Sequence, residues 1–390
     1  MKDLVFENPV KIYFGNNARR KVGKTLEGRY HSALALIGKG IPGSFYTELV
    51  TDLKDSGIAV FETGEVDSNP RVSTVRAGAE ICVNNKIDVV IALGGGSTMD
   101  CAKMIAVSAA MGIDVCDFLW GDPKPITASL PVVTIPTVAA TGTELNNTAV
   151  IRNEFTKKKS SCAAECMYPQ YSFIDPLVAE KLPKRIALWG AMDVLSHTYE
   201  YYFNGYYSPF QLRFSEGIML AAMECIEQLA KDGFDSFNYG ELMWTAAMTW
   251  GTGLTRIGRG APDMACHTIE EGMGAYFDTH HGAGLGVITP VWMRYIYTKS
   301  PEIFARYARN IWKVEETDDT KAALAGIESL EEWMRKLGVE RSYRQLTDKI
   351  TDEQLKVLSD EIYSDNKGVV GRLVPLSGED VYKILKLSSK

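Results

Sequence analysis

The run Ile87-Asp88-Val89-Val90-Ile91-Ala92-Leu93 leads straight into Gly94-Gly95-Gly96-Ser97, and a helical pattern begins at once in Thr98-Met99-Asp100-Cys101-Ala102-Lys103. A β-branched run that ends in glycines and turns directly into a helix is one βα unit. Comparable runs at Ser32–Ile37, Ile58–Phe61 and Val132–Pro136, most of them separated by helix-like stretches, repeat the unit. That alternation predicts a doubly wound parallel α/β sheet. A last strand ends near Phe173-Ile174-Asp175-Pro176, and beyond Leu182-Pro183 the patterns are long, amphipathic or apolar helices with few strand candidates. The reading is therefore α/β plus all-α: a sheet domain over residues 1–180 and a helical domain over 181–390.

The glycine turn has a chemical use. Where a strand passes through glycines into a helix, backbone N–H groups come close to a bound anion, and the helix dipole favours negative charge there. Ser97 adds a hydroxyl. The spacing is neither the Gly-x-Gly-x-x-Gly fingerprint nor a Walker loop, so the glycines alone fit a tight turn equally well. A second polar segment, Thr134 to Asn146, follows a strand candidate and places hydroxyls and an amide at a strand's carboxyl end, where open α/β sheets bind ligands.

Histidine is scarce, with five in 390 residues, and four of them fall in two short segments. A helix beginning near Pro183 carries Asp193 and His197 four residues apart, on one face. Such neighbours either hydrogen-bond each other or offer a carboxylate oxygen and an imidazole nitrogen, a donor set suited to Fe(II) or Zn(II) rather than to calcium or magnesium. His267 lies early in a helix that Pro262 begins, and His281 starts a further helix after a loop; these two can complete a four-donor site. Three imidazoles and one carboxylate, without thiolates, leave room for a substrate oxygen on a Lewis-acidic ion.

Bulk properties exclude other classes. A net charge of −7 argues against a nucleic-acid partner, whose affinity comes from clustered Lys and Arg. No apolar run reaches bilayer length, and the N-terminal sequence has no export signal, so no membrane partner and a cytoplasmic location are expected. Seven cysteines without a regular framework read as reduced thiols; Cys162 and Cys166 fall short of a closed zinc site.

Taken in order, Gly94-Gly95-Gly96-Ser97-x-x-Asp100-x-Ala102-Lys103, Ala140-Thr141-Gly142-Thr143-Glu144, Asp193-x-x-x-His197 and the paired His267 and His281 resemble the motifs of the group III, iron-containing alcohol dehydrogenases, most of all the butanol dehydrogenase and aldehyde reductase branch. The resemblance runs from about residue 5 to about residue 295. It implies a dinucleotide-binding first domain, a helical metal-binding second domain, a catalytic cleft and a homodimer. It also implies that Asp193, His197, His267 and His281 hold Fe(II), in some relatives Zn(II). Gly94, Gly95, Gly96 and Ser97 would hold the pyrophosphate, and Asn69, Asp100, Thr137, Thr141, Asn146 and Lys159 would line the cofactor groove. The expected reaction is NAD(P)-linked interconversion of primary alcohols and aldehydes such as butanol and butanal. No acid follows the second core strand, Gly38 leaves space and Lys39 offers positive charge, so NADP(H) is expected over NAD(H).

One position departs from the pattern. Relatives carry a histidine four residues after the third metal ligand, near the nicotinamide, and this chain has Glu271. Glu271 can position the cofactor, relay a proton or meet the metal; His280 is an alternative relay by proximity alone. Rival readings are a polyol dehydrogenase, a lyase of related fold, and a noncatalytic nucleotide- or metal-binding protein.

Overall fold

The computed structural model describes residues 5–257 and 260–390. The chain divides into two compact units that do not follow one cut. The first comprises 7–187 together with 232–252; the second comprises 188–231 and 253–390 with residues 5–6. The sequence reading set a single boundary near residue 180, whereas these units divide at 187/188 and exchange the segment 232–252.

In the first unit the strands are β1 (Lys11–Phe14), β2 (Ser32–Ile37), β3 (Ala59–Glu62), β4 (Val89–Gly94), β5 (Val132–Pro136), β6 (Thr148–Asn153), β7 (Lys158–Ala163) and β8 (Tyr171–Ile174). Six form a sheet in the order β1-β8-β5-β4-β2-β3, parallel at every pairing. β6 and β7 form an antiparallel hairpin outside it. β2 and β5 match their expected bounds, β3 is shifted by one residue, β4 begins two residues into the Ile87–Leu93 run, and β8 ends at Ile174 as expected. The helices between them are α1 (Val22–Leu26), α2 (Gly43–Asp55), α3 (Val72–Asn85), α4 (Gly96–Met111) and α5 (Cys116–Leu119).

Side chains on a strand alternate between faces, so a doubly covered sheet needs apolar residues at consecutive positions. In β4, Val89, Ile91 and Leu93 join Val22, Leu26, Leu49 and Leu53 from α1 and α2 in one core. Val90 and Ala92 join Val72 and Val75 of α3 and Ile105 of α4 in the other. Burying one such aliphatic side chain is worth about 1.5–3 kcal/mol. The uninterrupted run that predicts the strand is thus the imprint of two cores.

The remaining helices are α6 (Lys184–Tyr202), α7 (Pro209–Asp232), α8 (Ser236–Ala246), α9 (Ala265–Phe277), α10 (His281–Ile296), α11 (Pro301–Ile311), α12 (Asp319–Leu337), α13 (Asp352–Asp365) and α14 (Gly378–Ser388). All but α8 and the first turn of α6 lie in the second unit. Caps are written in the sequence: Asp318, Thr351 and Ser377 each accept a backbone N–H at the start of α12, α13 and α14. Among the described residues no helix is long and apolar enough to cross a membrane. All seven cysteines are free thiols.

Candidate metal centre and dinucleotide cradle

The second unit brings four predicted residues together. Asp193 and His197 lie one turn apart on α6, with His197 Nδ1 3.3 Å from Asp193 Oδ1. His267, in the first turn of α9, puts Nε2 3.7 Å from the same oxygen. His281, the first residue of α10, puts Nε2 3.8 Å from it. Asp193 Oδ1 is buried and has no hydrogen-bond partner. Donor atoms on a tetrahedral ion with arms of about 2.0–2.1 Å stand roughly 3.3 Å apart, so this convergence fits a transition-metal ion. Asp193, His197 and His267 each offer an atom within 4.8 Å of the others, and His281 lies just outside that group on the more exposed side.

Two glycines let α10 place His281. A Cβ on Gly282 would run into the backbone of Trp189 in α6, and one on Gly284 would lie 2.6 Å from Glu270 Oε1. The helix can therefore sit against α6 and α9 only with bare backbone at both positions.

Behind the imidazoles stand two carboxylates that sequence reasoning missed. Glu200, on α6, accepts from the backbone N of His267 at 3.1 Å and meets its Nδ1 at 2.9 Å. Glu270, fully buried on α9, meets Nδ1 of His281 and accepts from Tyr343 Oη at 3.4 Å. A carboxylate at Nδ1 fixes the tautomer that leaves Nε2 free to ligate. Each lies three residues beyond a predicted ligand, His197 and His267, and that helical spacing was the available signal.

The electrostatics of the four groups are coupled. Burial alone would raise the Asp193 carboxyl, but the imidazoles of His197, His267 and His281 hold it well below the usual carboxylate range. Burial pushes His197 down to about 3. Burial also opposes charge on His267, yet Asp193 and Glu200 outweigh it and lift His267 to about 10. A site that holds one carboxylate firmly ionised and one imidazole neutral is suited to a cation. Glu271 is half-buried on α9, one turn after His267. The ring of His280 packs on Trp189 with centroids 4.7 Å apart.

The first unit holds the glycine turn. Gly95 precedes α4, whose axis begins at Gly96. A Cβ on Gly96 would lie 2.6 Å from Thr141 Oγ1, and one on Gly94 would collide with Thr98. Thr137 donates its N–H to Gly94 O at 3.0 Å, and its buried Oγ1 has no hydrogen-bond partner. Bare backbone, a helix N-terminus and an orphaned hydroxyl make a cradle that fits a diphosphate. Ser97 Oγ donates to Ser68 O, which draws the segment carrying Asn69 onto the turn.

Other predicted groove residues are turned to the framework. Asp100 accepts from Thr143 Oγ1 at 2.6 Å and from Val150 N at 3.0 Å. Asn146 Oδ1 accepts from Thr148 N at 2.9 Å. Both surround Lys103, whose buried Nζ reaches five oxygens of Thr143, Asn146 and Thr148 at 2.7–3.1 Å. Burial lowers Lys103 to about 8 and raises its neighbour Glu144 to about 7. Lys159 lies on β7, paired in register with Arg152. Gly38 is crowded: a Cβ there would lie 2.7 Å from Thr98 Oγ1, and Lys39 Nζ is already bound to Asp67 Oδ1 at 2.9 Å. The Lys39 charge on which the NADP(H) expectation rests is thus ion-paired with a carboxylate.

A family model described as iron-containing alcohol dehydrogenase matches residues 9–176, and the C-terminal model of the same family matches residues 187–389. This chain belongs to the iron-containing alcohol dehydrogenase family. It is 32% identical to NADH-dependent butanol dehydrogenase A of Clostridium acetobutylicum, with 100% of both chains covered. It is 29% identical to an NADPH-dependent aldehyde reductase of Escherichia coli, over 87% of this chain and 88% of the other. Among solved structures, NADH-dependent butanol dehydrogenase A of Thermotoga maritima superposes with a TM-score of 0.94 at 35% identity, covering 100% of this chain and 99% of that one. The family bears out the fold and the oxidoreductase class, and implies iron, a nicotinamide cofactor and small-molecule substrates. Relatives named for NADH and for NADPH both occur, so membership leaves the choice of dinucleotide open.

Proposed function

We propose that this iron-containing alcohol dehydrogenase interconverts primary alcohols and aldehydes of butanol and butanal type with a nicotinamide cofactor and a divalent metal, Fe(II) or in its place Zn(II). The observation that carries the reading is the buried Asp193 Oδ1, without a hydrogen bond, on which imidazole nitrogens of His197, His267 and His281 converge at 3.3–3.8 Å. These four residues would hold the ion, which supplies Lewis acidity toward the substrate oxygen. Glu200 and Glu270 orient His267 and His281 through their Nδ1 atoms.

In the other unit, the amides of Gly95, Gly96 and Ser97 at the start of α4 bind the pyrophosphate, and Thr137 offers its hydroxyl. Gly94 and Thr141 shape the turn, Asn69 and Lys159 flank the cofactor, and Asp100 and Asn146 hold the loop through Lys103. Residues 1–180 and 181–390 thus correspond broadly to dinucleotide-binding and metal-binding parts. Glu271, where relatives place a histidine, stands one turn after His267 on α9, on the same helix as that proposed ligand. Hydride transfer itself belongs to the cofactor. The protein works as a cytoplasmic homodimer. With Lys39 paired to Asp67, the proposed cofactor is NAD(H), in place of the NADP(H) expected from sequence.

The test is the initial rate of butanal reduction by chelator-stripped protein re-supplied with Fe(II) or Zn(II), with NADH and NADPH in parallel. Turnover that returns only with metal is expected. Tight dinucleotide binding without turnover on any aldehyde or alcohol, after metal is restored, would refute the assignment in favour of a noncatalytic binder.

A further inference from the structure

The acid missing after β2 in the sequence is supplied from another segment. Beyond β3 the chain comes back beside the end of β2: Val66 donates to Ile37 O at 2.9 Å, Lys39 donates to Val66 O at 2.9 Å, and Gly38 forms a parallel bridge with Val66. This extends the β2 edge by one step and sets Asp67 beside Lys39. Ser68, the next residue, is tied through its carbonyl to Ser97 of the glycine turn. Asp67 therefore stands between the end of the second core strand and the start of α4.

In a doubly wound dinucleotide site that place faces the adenosine ribose. A carboxylate there accepts hydrogen bonds from the 2′ and 3′ hydroxyls of NAD(H). The same carboxylate repels the 2′-phosphate of NADP(H), which needs cations instead. Here the cations exist but are engaged: Lys39 Nζ lies 2.9 Å from Asp67 Oδ1, and an Arg71 guanidinium nitrogen lies 3.2 Å from Asp67 Oδ2. All three side chains are partly exposed and lie where a ligand can reach them.

We propose that Asp67 selects between the two dinucleotides, by receiving the ribose hydroxyls of NAD(H) and by holding Lys39 and Arg71 away from a 2′-phosphate. This rests on the reading of Gly94 to Ser97 as the pyrophosphate site. NADP(H) binding requires the phosphate to displace the carboxylate from both cations, so the wild-type enzyme favours NADH. Asp67→Asn removes the repulsion and frees the cations together. Adding Lys39→Met to that variant takes away the main phosphate partner.

The experiment measures affinity for NADH and NADPH by the fluorescence of the bound nicotinamide, and kcat/KM for each with butanal, in the metal-loaded wild type, Asp67→Asn and Asp67→Asn/Lys39→Met. The expected result is an NADPH to NADH ratio raised at least tenfold in Asp67→Asn, through NADPH affinity rather than kcat, and largely reversed in the double variant. A ratio that moves less than threefold while both cofactors still bind overturns the role of Asp67 and leaves the cradle intact. A wild type that prefers NADPH tenfold or more also overturns it. Binding of neither dinucleotide by any of the three proteins removes the cradle itself, and the selector falls with it.

Discussion

Nδ1 of His267 lies 2.9 Å from Glu200 Oε1, while Nε2 of the same ring lies 3.7 Å from Asp193. The ring is held from behind, so Glu200 sets which nitrogen faces the proposed ion. Removing such a partner typically lowers metal affinity by about 10–100-fold. Glu200→Gln is expected to weaken Fe(II) or Zn(II) binding within that range, measured by competition with a chromophoric chelator. Glu200→Asp, which keeps the charge and shortens the reach, should lose less. Equal affinity in all three proteins would show that α9 alone positions the ring.

Lys103 presents a different balance. Its three N–H donors are spent on five oxygens from the segment that follows β5, and that segment carries Thr141 against Gly96. Lys103→Met leaves those oxygens and the Asp100 carboxylate without their cation. Breaking a buried charge cluster from one side costs about 3–5 kcal/mol. Thermal unfolding should shift markedly downward, and dinucleotide affinity should weaken in whatever protein remains folded, with metal content unchanged. A variant as stable as the wild type would mean that the loop is held by β6 and β7 instead.

Local signals explain what the sequence made legible. Two-sided burial imposes an uninterrupted apolar run, so β2, β4 and β5 could be read directly, and the helix spacing of Asp193 and His197 showed a common face. The edge strand β1 and the hairpin strand β7 carry half-exposed, largely polar residues and give no such run. Pairings between distant segments left no local mark at all. Asp67 reaches Lys39 across 28 residues, Glu270 serves His281 from the preceding helix, and segment 232–252 packs with the first unit although it follows the helices of the second. The partner of Lys39 is remote in sequence, so nothing local to Gly38-Lys39 marks that the lysine is ion-paired.

The metal-free protein should depend on pH in two windows. His197 is neutral in the fold down to about 3, whereas in the unfolded chain an imidazole takes a proton near pH 6.5. Unfolding therefore takes up a proton between those values, and stability falls as pH drops from about 6.5 toward 3. Asp193, held low in the fold, adds to the loss as acid protonates it. His267 has the opposite sign. Its folded value of about 10 exceeds the unfolded one, so its contribution is complete below about pH 6.5 and is lost as pH rises through about 10. Denaturant unfolding of chelator-treated protein should have its highest midpoint near neutral pH, and His197→Gln should flatten the acid limb. An unchanged acid limb in that variant would place the proton uptake elsewhere.

Gly96 separates the two proposed sites most cleanly. A methyl group there would lie 2.6 Å from Thr141 Oγ1 and 2.7 Å from Thr141 Cγ2, closer than carbon contacts allow. Thr141 or the first turn of α4 must move, and the amides offered to the pyrophosphate move with it. The backbone at this position is helical and has negative φ, so Gly96→Ala introduces crowding without conformational strain. We expect at least a tenfold loss of affinity for NADH and NADPH alike, since the change touches the diphosphate and not the ribose. Metal affinity should stay within twofold of wild type, because Asp193, His197, His267 and His281 belong to the other unit. Calorimetric titration with each dinucleotide, beside a metal titration of the same preparation, reads both quantities. Loss of metal binding in parallel would mean that the substitution damages the fold as a whole, and intact dinucleotide binding would mean that the pyrophosphate lies away from this turn.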